Sequence, residues 1–239
     1  MEAKEIQLYR NRFKKFYERY GHRYPREVIR YIDIYFESCL EEGLCSDILM
    51  QVYQELGVKR LIPSYYEVNA NKITENFDIG CHIAEIGSGF LPALANIIAS
   101  RQLKIGKGTI TLFDPLLLPK RPIYKNMTIK REFFTRDTDI SQFDLIISTL
   151  PCSLTEDIIE TACRNHKDFY VAMCECNHLD DYIDIDIHDD DNEIYESFMI
   201  DRAVTHFIKH NNQKDKELYT DTLDDGYGMY APIIYTKRR

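Results

Sequence analysis

Two periodicities divide the chain. Through the first eighty residues apolar positions recur at helical spacing, and Ile6, Tyr9, Phe13, Phe16, Tyr17 and Tyr20 form a stripe that Gly21 ends. Pro25 suits the first position of a second helix, EVIRYIDIYFESCL, with Val28, Ile32, Tyr35, Phe36 and Cys39 on one side. Ser46 can cap DILMQVYQEL, which Gly57 closes, and Ser64 and Glu67 stand at capping-box spacing after Pro63. The pattern predicts a helical N-terminal unit, residues 1–78, of about four helices.

From residue 81 the period changes, and CHIAEIG, GTITLFD, MTIKREF, FDLIISTL and DFYVAMC follow as short apolar runs. Helical stretches separate the first run from the second (91–102) and the fourth from the fifth (153–166), where Ser153 and Glu156 make a second capping box. This alternation predicts a parallel sheet covered on both faces. A last helix, NEIYESFMIDRAVTHFIKH, precedes KELYTDTL and MYAPIIYTK, which flank DDGYG as an antiparallel hairpin. Residues 79–239 therefore read as one α/β domain, mostly parallel with an antiparallel C-terminal strand. Two crossovers look reduced: PLLLPKRPIYKN carries three prolines and TRDTDISQ is short, so neither predicts a full helix. The third strand should accordingly be short or displaced.

Composition changes this picture little. The 239 residues are 44% hydrophobic and 29% charged, which is ordinary for a globular protein able to bury a core. No apolar run has the length of a membrane span, and the charged N-terminus is no signal peptide, so a cytoplasmic protein without membrane contacts is expected. Seven irregularly spaced cysteines read as free thiols rather than a disulfide framework. Charge is more informative. Eleven acids and no Lys or Arg fall within 174–201, which leaves the rest of the chain near neutral against a total of −9. Residues 1–30 carry nine basic and four acidic side chains. Overall acidity thus neither supports nor excludes an RNA partner.

The candidate chemistry begins at Glu85-Ile86-Gly87-Ser88-Gly89, where a strand ending in an acid meets a Gly-x-Gly turn and a helix. Such a turn lets backbone approach a ligand closely. Pyrophosphate loops want a third glycine, and Leu91 and Pro92 stand here instead. The next strand ends at Asp114, where an acid can accept hydrogen bonds from a ribose. Together the two features predict a nucleoside-type cofactor without pyrophosphate.

Residues 81–170 resemble the S-adenosylmethionine-binding half of class I, Rossmann-like methyltransferases. Glu85, Gly87 and Gly89 match the family's first motif, with Ser88 between them, and Asp114 matches its second. Asp137 or Asp139 would stand for the acid near the adenine, and Ser148-Thr149-Leu150-Pro151-Cys152 for the fourth motif. The resemblance implies S-adenosyl-L-methionine as cofactor, Thr149 and Leu150 beside it, and methyl transfer to an acceptor that is either a small molecule or RNA. Gly87–Pro92 with Ile62-Pro63-Ser64-Tyr65-Tyr66 is also similar to nicotianamine-synthase-type enzymes, which implies aminocarboxypropyl transfer to a small amine as an alternative. Gly-x-Gly-x-x-Pro with Thr149-Leu150-Pro151-Cys152 is similar to aminoglycoside-resistance methyltransferases acting on ribosomal RNA. A non-catalytic Rossmann-like binding protein is the third reading.

No residue is singled out as the catalytic group. Tyr66 and Glu67, directly before the cofactor domain, are candidates, and so is Cys152, whose Pro-Cys setting matches the nucleophile of cytosine-5 methyltransferases. A small apolar thiol is the simpler reading of Cys152. Cys174, Cys176 and His178 invite a zinc reading, but their spacing lacks the paired Cys-x2-Cys of zinc sites, so no metal is assigned. The Asp-rich stretch 180–193 lacks the glycine and glutamate placement of an EF-hand and reads as a solvated loop. The basic, tyrosine-rich first helices suit either RNA contact, a lid, or an ordinary amphipathic face. A homodimer is left open.

Overall fold

Strand β1 (His82–Ile86) is the hub of the sheet, and its side chains are buried on both faces beyond His82. Ile83 joins the apolar core on one side, while Ala84 and Ile86 join that on the other. This two-sided burial explains why the run reads as continuously apolar rather than alternating. In the computed structural model, residues 62–89, 92–117, 122, 124–173, 192–210, 216–224 and 230–238 are described, with Gln7, Asn11, Lys14 and Glu18. Those four are helical and exposed. The other expectations for residues 1–61, and those for Cys174, Cys176, His178 and the Asp-rich stretch 180–191, lie outside the described residues.

The remaining strands are β2 (Thr109–Phe113), β3 (Met127–Lys130), β4 (Leu145–Thr149), β5 (Asp168–Ala172), β6 (Lys216–Asp224) and β7 (Tyr230–Arg238). They form one seven-stranded sheet in the order β3-β2-β1-β4-β5-β7-β6. The first five are parallel, and β7 runs antiparallel to both β5 and β6. The expected Rossmann-like sheet, mostly parallel with one reversed C-terminal strand, is the fold observed. The chain walks outward from β1 to β3, then restarts on the other side with β4. This places a topological switch point between β1 and β4, at the carboxyl ends of the strands.

Helix α1 (Ile62–Asn76) and helix α2 (Ala93–Ile105) cover one face. Tyr65, Ala70 and Ile73 of α1 are buried in the same core as Ile83, Ile98, Ile110 and Tyr170. The Tyr170 hydroxyl donates to Asn69 Oδ1 at 2.8 Å, which satisfies a polar group that burial would otherwise penalise. Helices α3 (Thr155–Arg164) and α4 (Asn192–His210) cover the other face, where Ile158, Ile159, Met199 and Ala203 meet Ala84, Ile146 and Val171. Among the described residues no helix is long and apolar enough to cross a membrane.

The two weak crossovers behave as their sequences predict. β3 is four residues long and lies at the sheet edge. No helix occurs among the described residues between β2 and β3, or between β3 and β4. The second connection supplies apolar cover directly: Phe134, Ile140 and Phe143 are buried, and Phe113 meets Phe134 and Phe143 edge-on at 6.5 and 5.8 Å. Three large side chains thus do what a helix face does elsewhere.

Both helix starts differ from the capping-box expectation. α1 begins at Ile62, so Ser64 lies inside its first turn. α3 has Leu154 at its N-cap, after a 3-10 turn over Cys152–Leu154, with no side-chain cap. Glu156 is 2% exposed and turns towards α4, where Arg202 Nε donates to its Oε1 at 2.6 Å. Charged partners outcompete a backbone N–H for this carboxylate.

Candidate functional site

Three strand ends meet at the switch point. Beyond β1, Gly87 and Gly89 both hold left-handed backbone, φ 68° and 64°, which a side chain rarely tolerates. Gly87 N–H extends the ladder to Phe113 O at 2.9 Å, and the Ser148 hydroxyl of β4 donates to Ile86 O at 2.6 Å. A Cβ on Gly87 would meet Pro151 at 3.8 Å, so the loops after β1 and β4 lie against each other. A Cβ on Gly89 would meet nothing within 4 Å, so the turn opens onto free space.

Asp114 closes the second side. It is 7% exposed, and its Oδ2 accepts from Gly89 N–H at 2.7 Å while its Oδ1 accepts from Leu116 N–H at 2.7 Å. One carboxylate therefore ties the glycine turn to the loop after β2. Each oxygen keeps a further lone pair for another donor.

Glu85 lies beneath the turn at 1% exposure. Its carboxyl accepts from Ala95 N–H in the first turn of α2, whose N-cap, Pro92, has no side-chain cap bond. Burial pushes its pKa up to about 8, against the usual 4.5, with Asp114 adding a smaller push in the same direction. Among the described residues, its Oε2 and the Ser88 hydroxyl are buried without a hydrogen-bond partner. On the third side Thr149 is buried at 5%, and Leu150 adopts φ 56° while its N–H bonds Ala172 O at 2.7 Å. Left-handed backbone at a leucine costs of order 1 kcal/mol and persists where the surroundings over-determine it.

Glu85, Gly87, Ser88, Gly89, Asp114, Thr149 and Leu150 are thus brought together at one crevice. Cys152 follows in the 3-10 turn after β4. Tyr66 and Glu67 sit on α1, where Tyr66 meets Tyr65 edge-on at 5.5 Å and Glu67 pairs with Arg101 of α2 at 3.5 Å. Asp137 is exposed in the loop after β3, beside Arg136, which pairs with Asp157 of α3 at 2.6 Å. Asp139 accepts from Ser141 N–H, and Lys167 just before β5 bonds Ser141 O, at the amino end of the strands. These two acids are not joined to the glycine turn. Ser148 stood in the sequence only as the first residue of the fourth motif, and the structure gives it the task of tying β4 to the end of β1.

The crevice fits a nucleoside sulfonium cofactor in three respects. Gly89 opens on free space, two buried polar atoms lack partners, and an acid stands at the end of β2.

No protein-family model and no curated protein matches the chain. Solved structures similar to it include precorrin-6Y C5,15-methyltransferase from Geobacter metallireducens, at 16% identity, 76% of this chain, 91% of that chain and a TM-score of 0.45. A methyltransferase from Pyrococcus furiosus aligns at 12% identity over 73% of this chain and 83% of its own, with a TM-score of 0.48. The plantazolicin methyltransferase BpumL, solved with a desmethyl analogue and S-adenosylhomocysteine, aligns at 11% identity over 89% and 99%, with a TM-score of 0.47. These three are methyltransferases, other similar structures include a putative hemolysin from Streptococcus thermophilus, and the likeness is one of fold.

Proposed function

We propose that the chain is an S-adenosylmethionine-dependent transferase, and that the group transferred is methyl. One observation carries this reading: Asp114 clamps an open Gly-x-Gly turn at the switch point of the sheet. Asp114 would hold the ribose hydroxyls, and Gly87, Ser88 and Gly89 would let the backbone approach the amino-acid end. That end carries an ammonium, which would supply the partner that Glu85 Oε2 lacks. Thr149 and Leu150 would wall the opposite side. Bound there, the cofactor supplies an electrophilic sulfonium carbon, and the chain's own part is to orient it and to exclude water. Asp137 is left out, because it belongs to the loop braced on α3. The recognition unit is placed before residue 62, since α1 is part of the core beside α2.

Titration calorimetry with S-adenosylmethionine tests the assignment. Binding is expected, weakened about 100-fold or more by Asp114→Ala, which removes the turn's clamp as well as the ribose acceptor. Protons should be released near neutral pH, because a cationic partner lowers the Glu85 pKa. Measured in buffers of different ionisation enthalpy, release should vanish in Glu85→Gln. No heat from the folded chain overturns the proposal. S-adenosylhomocysteine as by-product supports methyl transfer, and methylthioadenosine would assign aminocarboxypropyl transfer instead.

A further inference from the structure

On the face of the sheet covered by α3 and α4, we propose that Glu160, His206 and His210 form a zinc site that clasps the two helices together. Helical spacing puts His206 and His210 on one side of α4, one turn apart, and Glu156 and Glu160 likewise on α3. The ligand atoms of Glu160, His206 and His210 all lie within 4.8 Å of one another. Around a zinc ion bonded at about 2.0–2.1 Å, tetrahedral ligand atoms stand roughly 3.4 Å apart, so side-chain shifts of about 1 Å complete the site.

The hydrogen bonds point the same way. His206 is 7% exposed, and its Nε2 lies 3.0 Å from Glu156 Oε1. Among the described residues its Nδ1 is buried with no partner, and so is Nε2 of His210. An Nε2–H donated to Glu156 leaves the lone pair on Nδ1, the ring atom then able to bind a metal. This is how a carboxylate orients a metal-binding imidazole. Glu156 is then the positioning residue, and Glu160 the anionic ligand.

Four cations lie around the cluster among the described residues: Arg202 and Arg136, and Arg164 and Lys209, whose charges act on His210. Arg202 is matched by Glu156, and Arg136 bonds Asp157 at 2.6 Å while touching Glu160 only through Oε2, at 2.9 Å. The donor set of two imidazoles and one carboxylate suits zinc, whereas calcium and magnesium take oxygen. Three protein ligands leave a fourth position for water.

The test uses the full chain, stripped with a chelator and titrated with zinc chloride and, separately, cobalt chloride as spectroscopic probe. One zinc per chain is expected, with a rise in Tm of about 5–10 °C at a hundredfold excess over Kd. The cobalt form should show d–d bands without a thiolate charge-transfer band. His210→Gln and Glu160→Gln, both checked for native circular dichroism, should each lower zinc affinity about 100-fold. Glu156→Gln should lower it about 10–100-fold by releasing the His206 ring. Cys174→Ser/Cys176→Ser should bind as the parent does. Absence of stoichiometric zinc, a thiolate band, or unchanged affinity in His210→Gln would overturn the proposal and leave His206 as a hydrogen-bond partner of Glu156. None of these readouts depends on S-adenosylmethionine.

Discussion

Glu85 and Glu156 are both nearly closed to solvent, 1% and 2% exposed, on opposite sides of one sheet, with Glu85 the more deeply enclosed, yet their protonation is pulled in opposite directions. Under α2, Glu85 has the Ala95 N–H as its partner among the described residues, and burial pushes its pKa to about 8. Between α3 and α4, burial acts on Glu156 as well, but hydrogen bonds from His206 and Arg202 outweigh it and hold the pKa below the usual range. Depth sets the cost of the charge, and the partner decides whether the group keeps it. The glycine-turn side therefore holds a neutral acid awaiting a cation. The α3–α4 side holds an anion already served by two.

The comparison is broken most sharply by pH. Folded Glu85 binds a proton up to about pH 8, while the unfolded chain releases it near 4.5. The folded state thus holds more protons across that window, and its stability falls as pH rises from about 4.5 to 8, then levels off. Relative to Glu85→Gln, the cofactor-free protein should lose about 3–5 kcal/mol over this range. Denaturant unfolding of both proteins at pH 5, 6.5 and 8.5 measures the difference. A constant difference would mean that Glu85 reaches water or another cation.

The same contrast separates what the sequence tells from what it conceals. Strand positions were legible because burial on both faces writes Val, Ile and Leu into short runs, and Gly87, Gly89 and Asp114 because few residues suit their backbone or strand-end positions. Asp137 and Asp139 were alternatives that spacing alone left open, since a reduced crossover carries their loop beside α3 through Arg136 and Asp157. Glu156 shows a further limit. Its capping-box spacing was a true local signal, but the partners that claimed it lie on α4, 46 and 50 residues away. Local pattern reports local competition, and the strongest competitors for a charge come from elsewhere in the chain.

A second change sharpens the α3–α4 side, in the presence of chelator at pH 7. Arg202→Met removes the guanidinium and leaves the buried Glu156 carboxylate with His206 alone. Losing one partner of a fully buried pair costs about 3–5 kcal/mol; with Arg202 itself 43% exposed, about 2 kcal/mol is expected. The Glu156 pKa should rise, so the loss shrinks as pH falls towards 4. Urea unfolding at pH 7 and pH 4 separates this charge effect from lost packing, which would be the same at both.

The smallest effect is expected from removing both charges at once. Glu156→Gln with Arg202→Gln removes both charges, is isosteric at 156, shortens only the half-exposed side chain at 202, and still lets the amide oxygen at 156 accept from His206 Nε2. No buried ion is left without a partner, so the double variant should lose under about 1 kcal/mol at pH 7, less than Arg202→Met alone. It should also lose the acid sensitivity that Glu156 confers, since a carboxylate with a lowered pKa contributes stability above the unfolded value and forfeits it as pH falls through the folded one. If instead the double variant is as unstable as Arg202→Met, the ion pair itself would be a net source of stability. Glu156 would then be held by the strength of its partners, and Glu85 would differ from it in kind rather than only in company.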